Sequence, residues 1–475
     1  MSDLLAARSQ MALSLAFHIV FAAVGVGLPV LILISQGLWL RTRNRVYLHL
    51  TRAWAKGLAV LFAVGAVSGT VLSFELGLLW PEFMRVAGPL VGMPFSLEGF
   101  AFFTEAIFLG IFLYGWDRIS EKAHFAAAIV VAVSGALSAL FVLSVNGWMN
   151  APTGFLPGEG AAGIDPVAAM TNPFWIANTI HMVLAAYICT AFGAATLHAW
   201  RLLRTPESTF HQAALRICVG FGAVAALLQP VSGDVTARVV AERQPAKLAA
   251  MEAHFETRAC APLLLGGIPD ETAGEVRFGL EIPCGLSLLV ARDPDAVVTG
   301  LNDIPEDERP PVLPVHLAFQ VMVGIGSFLA LLSLWVGWRL FRRRPLQASR
   351  PLLLALVAAG PLAFLAMQAG WVVTEVGRQP WIIYGFMRTA DAVTPVPGLV
   401  VPFTLFTALY VFLSVLVVVL LIRLARTEWD DLPADEKGED GGTISAPSIP
   451  GGPERGARVD PAGVGPEGDP RGRAP

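Results

Sequence analysis

Residues Trp371 to Trp381 read WVVTEVGRQPW. The segment closes a long apolar run with Glu375 and then turns into Gly377, Arg378, Gln379, Pro380 and Trp381, so a carboxylate and a guanidinium sit where hydrocarbon meets water. Ionisable groups are costly in such a place. Trp and Arg also mark the ends of ordinary membrane helices, so the meaning of Glu375 depends on which other unusual residues share its depth.

Outward from that segment, the composition is that of a multi-span membrane protein. The 475-residue chain is 55% hydrophobic and 15% charged, against about 25% charged for a soluble domain, and its mean hydropathy is +0.62. A net charge of −4, with basic residues dealt out along the chain, argues against a nucleic-acid partner. The first apolar run is too long for a cleavable signal peptide. Runs of the roughly 20 residues needed to cross a bilayer fall at 11–36, 57–80, 95–116, 125–148, 174–200, 214–233, 313–338, 351–374 and 400–422. The expected fold is therefore all-α, a polytopic membrane protein with nine transmembrane helices rather than a strand-built barrel.

The loops orient it. Arg41, Arg43, Arg45, Arg52 and Lys56 follow the first span, Arg118 and Lys122 the third, and Arg201, Arg204 and Arg216 the fifth. Arg339, Arg342, Arg343, Arg344 and Arg350 follow the seventh, and Arg423 and Arg426 the ninth. These loops belong in the cytoplasm, which puts the N-terminus outside and the C-terminus inside. The expected organisation is helices one to six over 1–234, an outer loop over 235–311, helices seven to nine over 312–426, and a disordered cytoplasmic tail over 427–475. The outer loop mixes seven Lys or Arg and thirteen Asp or Glu with apolar patches such as APLLLGGIP, as a folded, docked loop would. The tail carries ten Gly and eight Pro in 49 residues. Cys260 and Cys284 share the outer loop, on the oxidising side, where a disulfide is at home; Cys189 and Cys218 lie within spans as small apolar fillers.

Placed by depth, the unusual residues converge. His18, Glu75, Glu98 with Glu105, His181, Met322 and Glu375 come from six spans to one layer in the outer half of the membrane. Glu98 and Glu105 are seven residues apart and share a helix face. A lone His or Met in a span is usually packing, but seven such residues at one depth require compensation, since a charge at the bilayer centre costs about 2.5–3.5 kcal/mol. His and Met hold haem iron, and a His/Met pair raises its reduction potential; the remaining His and carboxylates suit further irons or proton relay. His49, His124, His198, His211, His254 and His316 lie outside the layer and are read as non-ligands.

These residues sit in segments that resemble subunit I of the cytochrome bd family of quinol oxidases. RSQMALSLAFH, SFELG, LEGFAFFTEAIF, FLYGWDR, SALFVLSVNGWMNAP, IHMVLAAY, KLAAMEAHFET, FQVMVGIG and AGWVVTEVGRQPW occur in family order over roughly residues 8 to 425. The resemblance implies that His181 and Met322 are the axial pair of a low-spin haem b. His18 and Glu375 would hold the irons of two high-spin haems, one of b type and one of d type, the latter replaced by haem b in some relatives. Glu98 and Glu105 would contact haem and deliver protons, and Lys247 and Glu252 would bind quinol in an outer loop of the shorter kind. Arg378 and Trp371 would serve haem propionates or structure.

The expected activity is that of a quinol:oxygen oxidoreductase in the bacterial cytoplasmic membrane. It would oxidise quinol at the outer face, reduce dioxygen to water and take its protons from the cytoplasm, generating proton motive force without a pump. The expected partners are subunit II, one or more small single-span subunits and membrane lipid. A b-haem subunit that passes electrons to a protein is the alternative, and a haem-free ion transporter a remoter one, since transporters more often show repeats and midplane sites. One departure is Gln320, where the best-studied branch has an arginine; losing that charge is expected to lower the potential of the neighbouring haem.

Overall fold

The computed structural model describes residues 1–154 and 163–425; the expected disordered tail lies outside the described residues. Among them are nine helices long and apolar enough to cross a membrane. They are α1 (Asp3–Thr42), α2 (Arg45–Leu79), α3 (Pro81–Tyr114), α4 (Glu121–Asn150), α5 (Trp175–Leu202), α6 (Thr209–Arg243), α7 (Val312–Phe341), α8 (Arg350–Val376) and α9 (Val400–Ala425).

Each helix is longer than its apolar run, and polar caps close the start of four of them. Ser2, Asn44, Ser120 and Ser208 accept hydrogen bonds from the first-turn amides of α1, α2, α4 and α6. A bilayer core holds no water to partner such amides once the helix enters it. Helix α6 departs from the sequence reading at its far end, running to Arg243 where the apolar run ends at 233. Its extra turns carry Val239 and Val240, which pack into the core of the following loop.

The main core runs through the bundle, with Leu31, Phe192, Leu215 and Leu356 almost wholly enclosed. Small residues let the helices approach, as expected where packing rather than hydrophobicity drives association. Pro361 in α8 has no N–H to offer the Val357 carbonyl, and the Thr196 hydroxyl of α5, 3.1 Å from that oxygen and 3.0 Å from the Leu356 carbonyl, shares its one proton between them while accepting from the Gly360 amide at 3.0 Å. The outward stripe Phe100, Phe103 and Ile107 on α3 stays exposed, as a face turned to lipid or a partner does.

At one end, Asp3 accepts from the Gly398 and Leu399 amides and Thr394 donates to the Leu79 carbonyl, tying α1, α2 and the start of α9 together. At the other end Arg43 pairs with Glu121 at 2.8 Å. The segment between α6 and α7 belongs to the first end and is folded. It starts with a helix, Pro245–Glu252, and continues through short antiparallel pairs, 258–259 with 297–298, 263–265 with 280–282 and 268–270 with 275–277. A disulfide joins Cys260 to Cys284. His316 and Gln320 of α7 clamp the loop. His316 Nδ1 lies 2.8 Å from the Met251 carbonyl, and the Gln320 amide accepts from Gly266 N at 2.9 Å and donates to Leu264 O at 3.1 Å.

Candidate functional site

His18 on α1 has its Nδ1 3.0 Å from Ser68 Oγ on α2, and His181 on α5 has its Nδ1 2.9 Å from Ser232 Oγ on α6. Each ring is therefore held by the next helix in the chain. Met322 on α7 faces Gly370 of α8 so closely that a Cβ at Gly370 would stand 3.1 Å from its sulfur.

Glu375, Lys247 and Arg378 are brought into one hydrogen-bonded file. Lys247 Nζ donates to Asn150 Oδ1 at 2.6 Å. The Asn150 amide donates to the Asn146 carbonyl at 2.8 Å, with the Asn146 side-chain oxygen at 3.4 Å. Asn146 donates to Glu375 Oε1 at 2.7 Å, and Glu375 Oε2 accepts from Arg378 Nη2 at 2.5 Å. One turn of α4 thus bridges the outer-loop helix to the end of α8, because residues four apart share a face. Asn146 and Asn150 carry no charge, and nothing in their spacing alone marks them; both fall in the NGWMN stretch within the quoted segment.

Electrostatics differ along the file. Burial, and then the Arg378 guanidinium, hold the Lys247 ammonium well below the usual lysine range, with Glu375 pulling the other way. Glu252, at the far end of the same short helix, is 1% exposed, and burial pushes its carboxyl up to about 8. Its Oε2 has no partner among the described residues. The Glu252 carboxyl therefore exchanges a proton near neutral pH, the condition for acid–base work.

Glu98 and Glu105 both turn toward α4. Ser138 donates to Glu98 at 3.1 Å, and Glu105 lies over Gly135, one turn away, where a Cβ would come within 3.3 Å of its carboxylate. Glu75 is placed elsewhere, accepting from Gln10 at 2.9 Å in a buried pair between α1 and α2.

The residues fit haem. Two histidines and a methionine face helix surfaces cut back to glycine at 69, 233 and 370. Arg378, 3% exposed, keeps Nε and Nη1 unpartnered among the described residues, as does the Trp371 indole N–H. Buried donors without acceptors are rare, and haem propionates are acceptors of the right charge.

Comparison with known proteins gives the family. The family model for cytochrome bd terminal oxidase subunit I matches residues 6–429. The structure of bd oxidase from Geobacillus thermodenitrificans superposes with a TM-score of 0.85 at 42% identity, covering 90% of this chain and 99% of that one. A Bacillus subtilis protein provisionally named cytochrome bd menaquinol oxidase subunit I is 38% identical over 92% of this chain and 98% of its own length. The cytochrome bd ubiquinol oxidase subunit 1 of the same organism is 32% identical over 89% and 93%. With nine apolar helices among the described residues, this is a multi-pass protein of the bacterial cytoplasmic membrane, and the chain belongs to the family of cytochrome bd terminal oxidase subunit I.

Proposed function

We propose that this chain is the haem-bearing subunit of a quinol:oxygen oxidoreductase that oxidises quinol at the outer membrane face and reduces dioxygen to water with protons drawn from the cytoplasm. The observation that carries the reading is the file Lys247–Asn150–Asn146–Glu375–Arg378, which joins the outer-loop helix to the carboxylate that closes α8.

His181 and Met322 would hold a low-spin haem b, and His18 and Glu375 the irons of two high-spin haems, one b and the other d or a second b. When bound, these groups carry electrons from quinol and bind and reduce dioxygen. The chain's own residues do the rest. Lys247, held toward its neutral amine, accepts a hydrogen bond or proton from a quinol hydroxyl, and Glu252 takes the proton onward to the outer face. Arg378 and Trp371 offer their spare N–H groups to propionate oxygens. Glu98, Ser138 and Glu105 form the polar face through which protons arrive.

The loop cations orient the bundle with the N-terminus and the quinol loop outside. Protons taken from inside then cross most of the membrane field, worth about 2.3 kcal/mol per charge per 100 mV, so energy is conserved without a pump. Subunit II is implied by membership of a subunit I family; small single-span subunits and lipid would cover further apolar helix faces.

A reduced-minus-oxidised absorption spectrum of the purified complex, repeated with carbon monoxide, tests this. A low-spin b band with a carbon monoxide-reactive second component is expected, and a red-shifted chlorin band identifies haem d. A low-spin b band with no carbon monoxide response would make the chain an electron-transfer subunit instead.

A further inference from the structure

Two pairs of neighbouring helices carry the same small device. On α1 and α2, His18 meets Val67-Ser68-Gly69; on α5 and α6, His181 meets Val231-Ser232-Gly233. The serine follows the histidine by 50 residues in the first pair and 51 in the second.

Each serine hydroxyl has a single proton. Ser68 Oγ lies 2.9 Å from the Val64 carbonyl oxygen and Ser232 Oγ 2.8 Å from that of Gln229. A carbonyl only accepts, so each hydroxyl proton is committed to its own helix backbone. The Nδ1 atoms, 3.0 and 2.9 Å from the same hydroxyl oxygens, must then donate. A neutral imidazole protonated on Nδ1 carries its lone pair on Nε2.

At His181 the Gln229 amide nitrogen donates to the His181 carbonyl oxygen at 3.2 Å and lies beside the ring, 3.2 Å from Nε2 and 3.4 Å from Nδ1. The glycine after each serine completes the socket. A Cβ at Gly69 would stand 2.9 Å from His18 Cε1, and one at Gly233 3.5 Å from His181 Cε1, so the ring edge occupies space that a side chain would take.

Resting on the haem-ligand reading above, we propose that Ser68 and Ser232 are positioning residues that fix His18 and His181 in the Nδ1–H tautomer, aim Nε2 at haem iron and strengthen it as a donor. Hydrogen bonding at the far nitrogen fixes a metal-bound histidine's orientation and raises its basicity. A more basic ligand stabilises ferric over ferrous iron, so each hydroxyl lowers the potential of one haem. Ser232 acts on the low-spin haem and Ser68 on a high-spin one.

The test compares threonine with valine at each position in the intact complex, because the two are nearly the same size and differ in the hydroxyl. Spectroelectrochemical titration of each haem band is the readout. Ser232→Thr should keep the wild-type midpoint, whereas Ser232→Val should raise the low-spin midpoint by about tenfold in the ferric-to-ferrous equilibrium, about 59 mV for one electron, and leave the carbon monoxide-reactive bands in place. Ser68→Val should do the reverse. Midpoints equal in the Thr and Val variants at both positions would overturn the proposal. His181→Ala separates the two levels: loss of the low-spin band with unmoved serine variants sinks this inference alone, and an intact low-spin band in His181→Ala sinks the ligand reading beneath it.

Discussion

Two polar regions of the bundle differ in what they lack. The file on α4, α8 and the outer-loop helix has a surplus of donors: every acceptor from Asn150 to Glu375 is engaged, and two Arg378 nitrogens and the Trp371 indole N–H remain. The α3 pair has a surplus of acceptors: one hydroxyl, Ser138, donates to Glu98, and Glu105 adds a second carboxyl group over Gly135. Donor-rich buried sites suit an anionic group such as a propionate, and acceptor-rich ones suit arriving protons or water. In the proposed reading, two halves of one reaction are thus separated by the sign of their unmet hydrogen bonding.

Breaking the donor-rich side should cost most. Arg378→Leu leaves the Glu375 carboxylate without its cation, and removing one partner of a buried pair costs about 3–5 kcal/mol; the thermal midpoint of the complex should fall, with loss of haem on heating. Asn146→Leu cuts the file in its middle and removes a hydrogen bond to a charged group, worth about 1.5–3 kcal/mol. Quinol oxidation, followed by stopped-flow haem reduction, should slow by about tenfold, while reoxidation by oxygen keeps its rate.

The pH profile sharpens the comparison. Glu252 titrates at about 8 instead of near 4.5, so it is mostly protonated at pH 7 and gains capacity to accept a proton as pH rises through 8. Quinol oxidation should therefore climb toward pH 8, and Glu252→Gln should flatten that limb. Stability runs the other way. The unfolded carboxyl ionises first, so this group's contribution falls as pH rises from about 4.5 to about 8, and Glu252→Gln removes that slope from urea titrations. The smallest effect is on the acceptor-rich side. Ser138→Ala loses one hydrogen bond, about 1 kcal/mol, and should slow oxygen-driven reoxidation about fivefold without touching haem reduction by quinol.

Much of this was legible in the sequence, and the remainder was hidden for a physical reason. Nine helices follow from apolar length alone, because a bilayer leaves backbone groups no partner outside a helix or barrel. His18, His181, Met322 and Glu375 stand out by residue type in an apolar setting. Asn146, Asn150, Ser68 and Ser232 do not, since neutral polar residues are cheap in spans and their meaning lies in a partner 50 to 229 residues away. Gln320 reads in the sequence as a missing charge; in the folded chain its amide is occupied with the loop backbone at Leu264 and Gly266. Helix ends were misjudged where amphipathic turns, such as those at Val239 and Val240, pack on a loop rather than on lipid.

That occupied amide has a mechanical consequence. Gln320 lies two residues before Met322, and His316, one turn earlier, grips the same loop at Met251. The loop between α6 and α7 and the stretch of α7 that carries the thioether are therefore geared together: a swing of the loop away from the bundle must either strip these hydrogen bonds or twist the helix beneath it. If the proposed reading holds, substrate entry and the seating of the sulfur share one axle, and a bulky quinone headgroup pressing on the loop would be felt at the Met322 sulfur before any electron has moved.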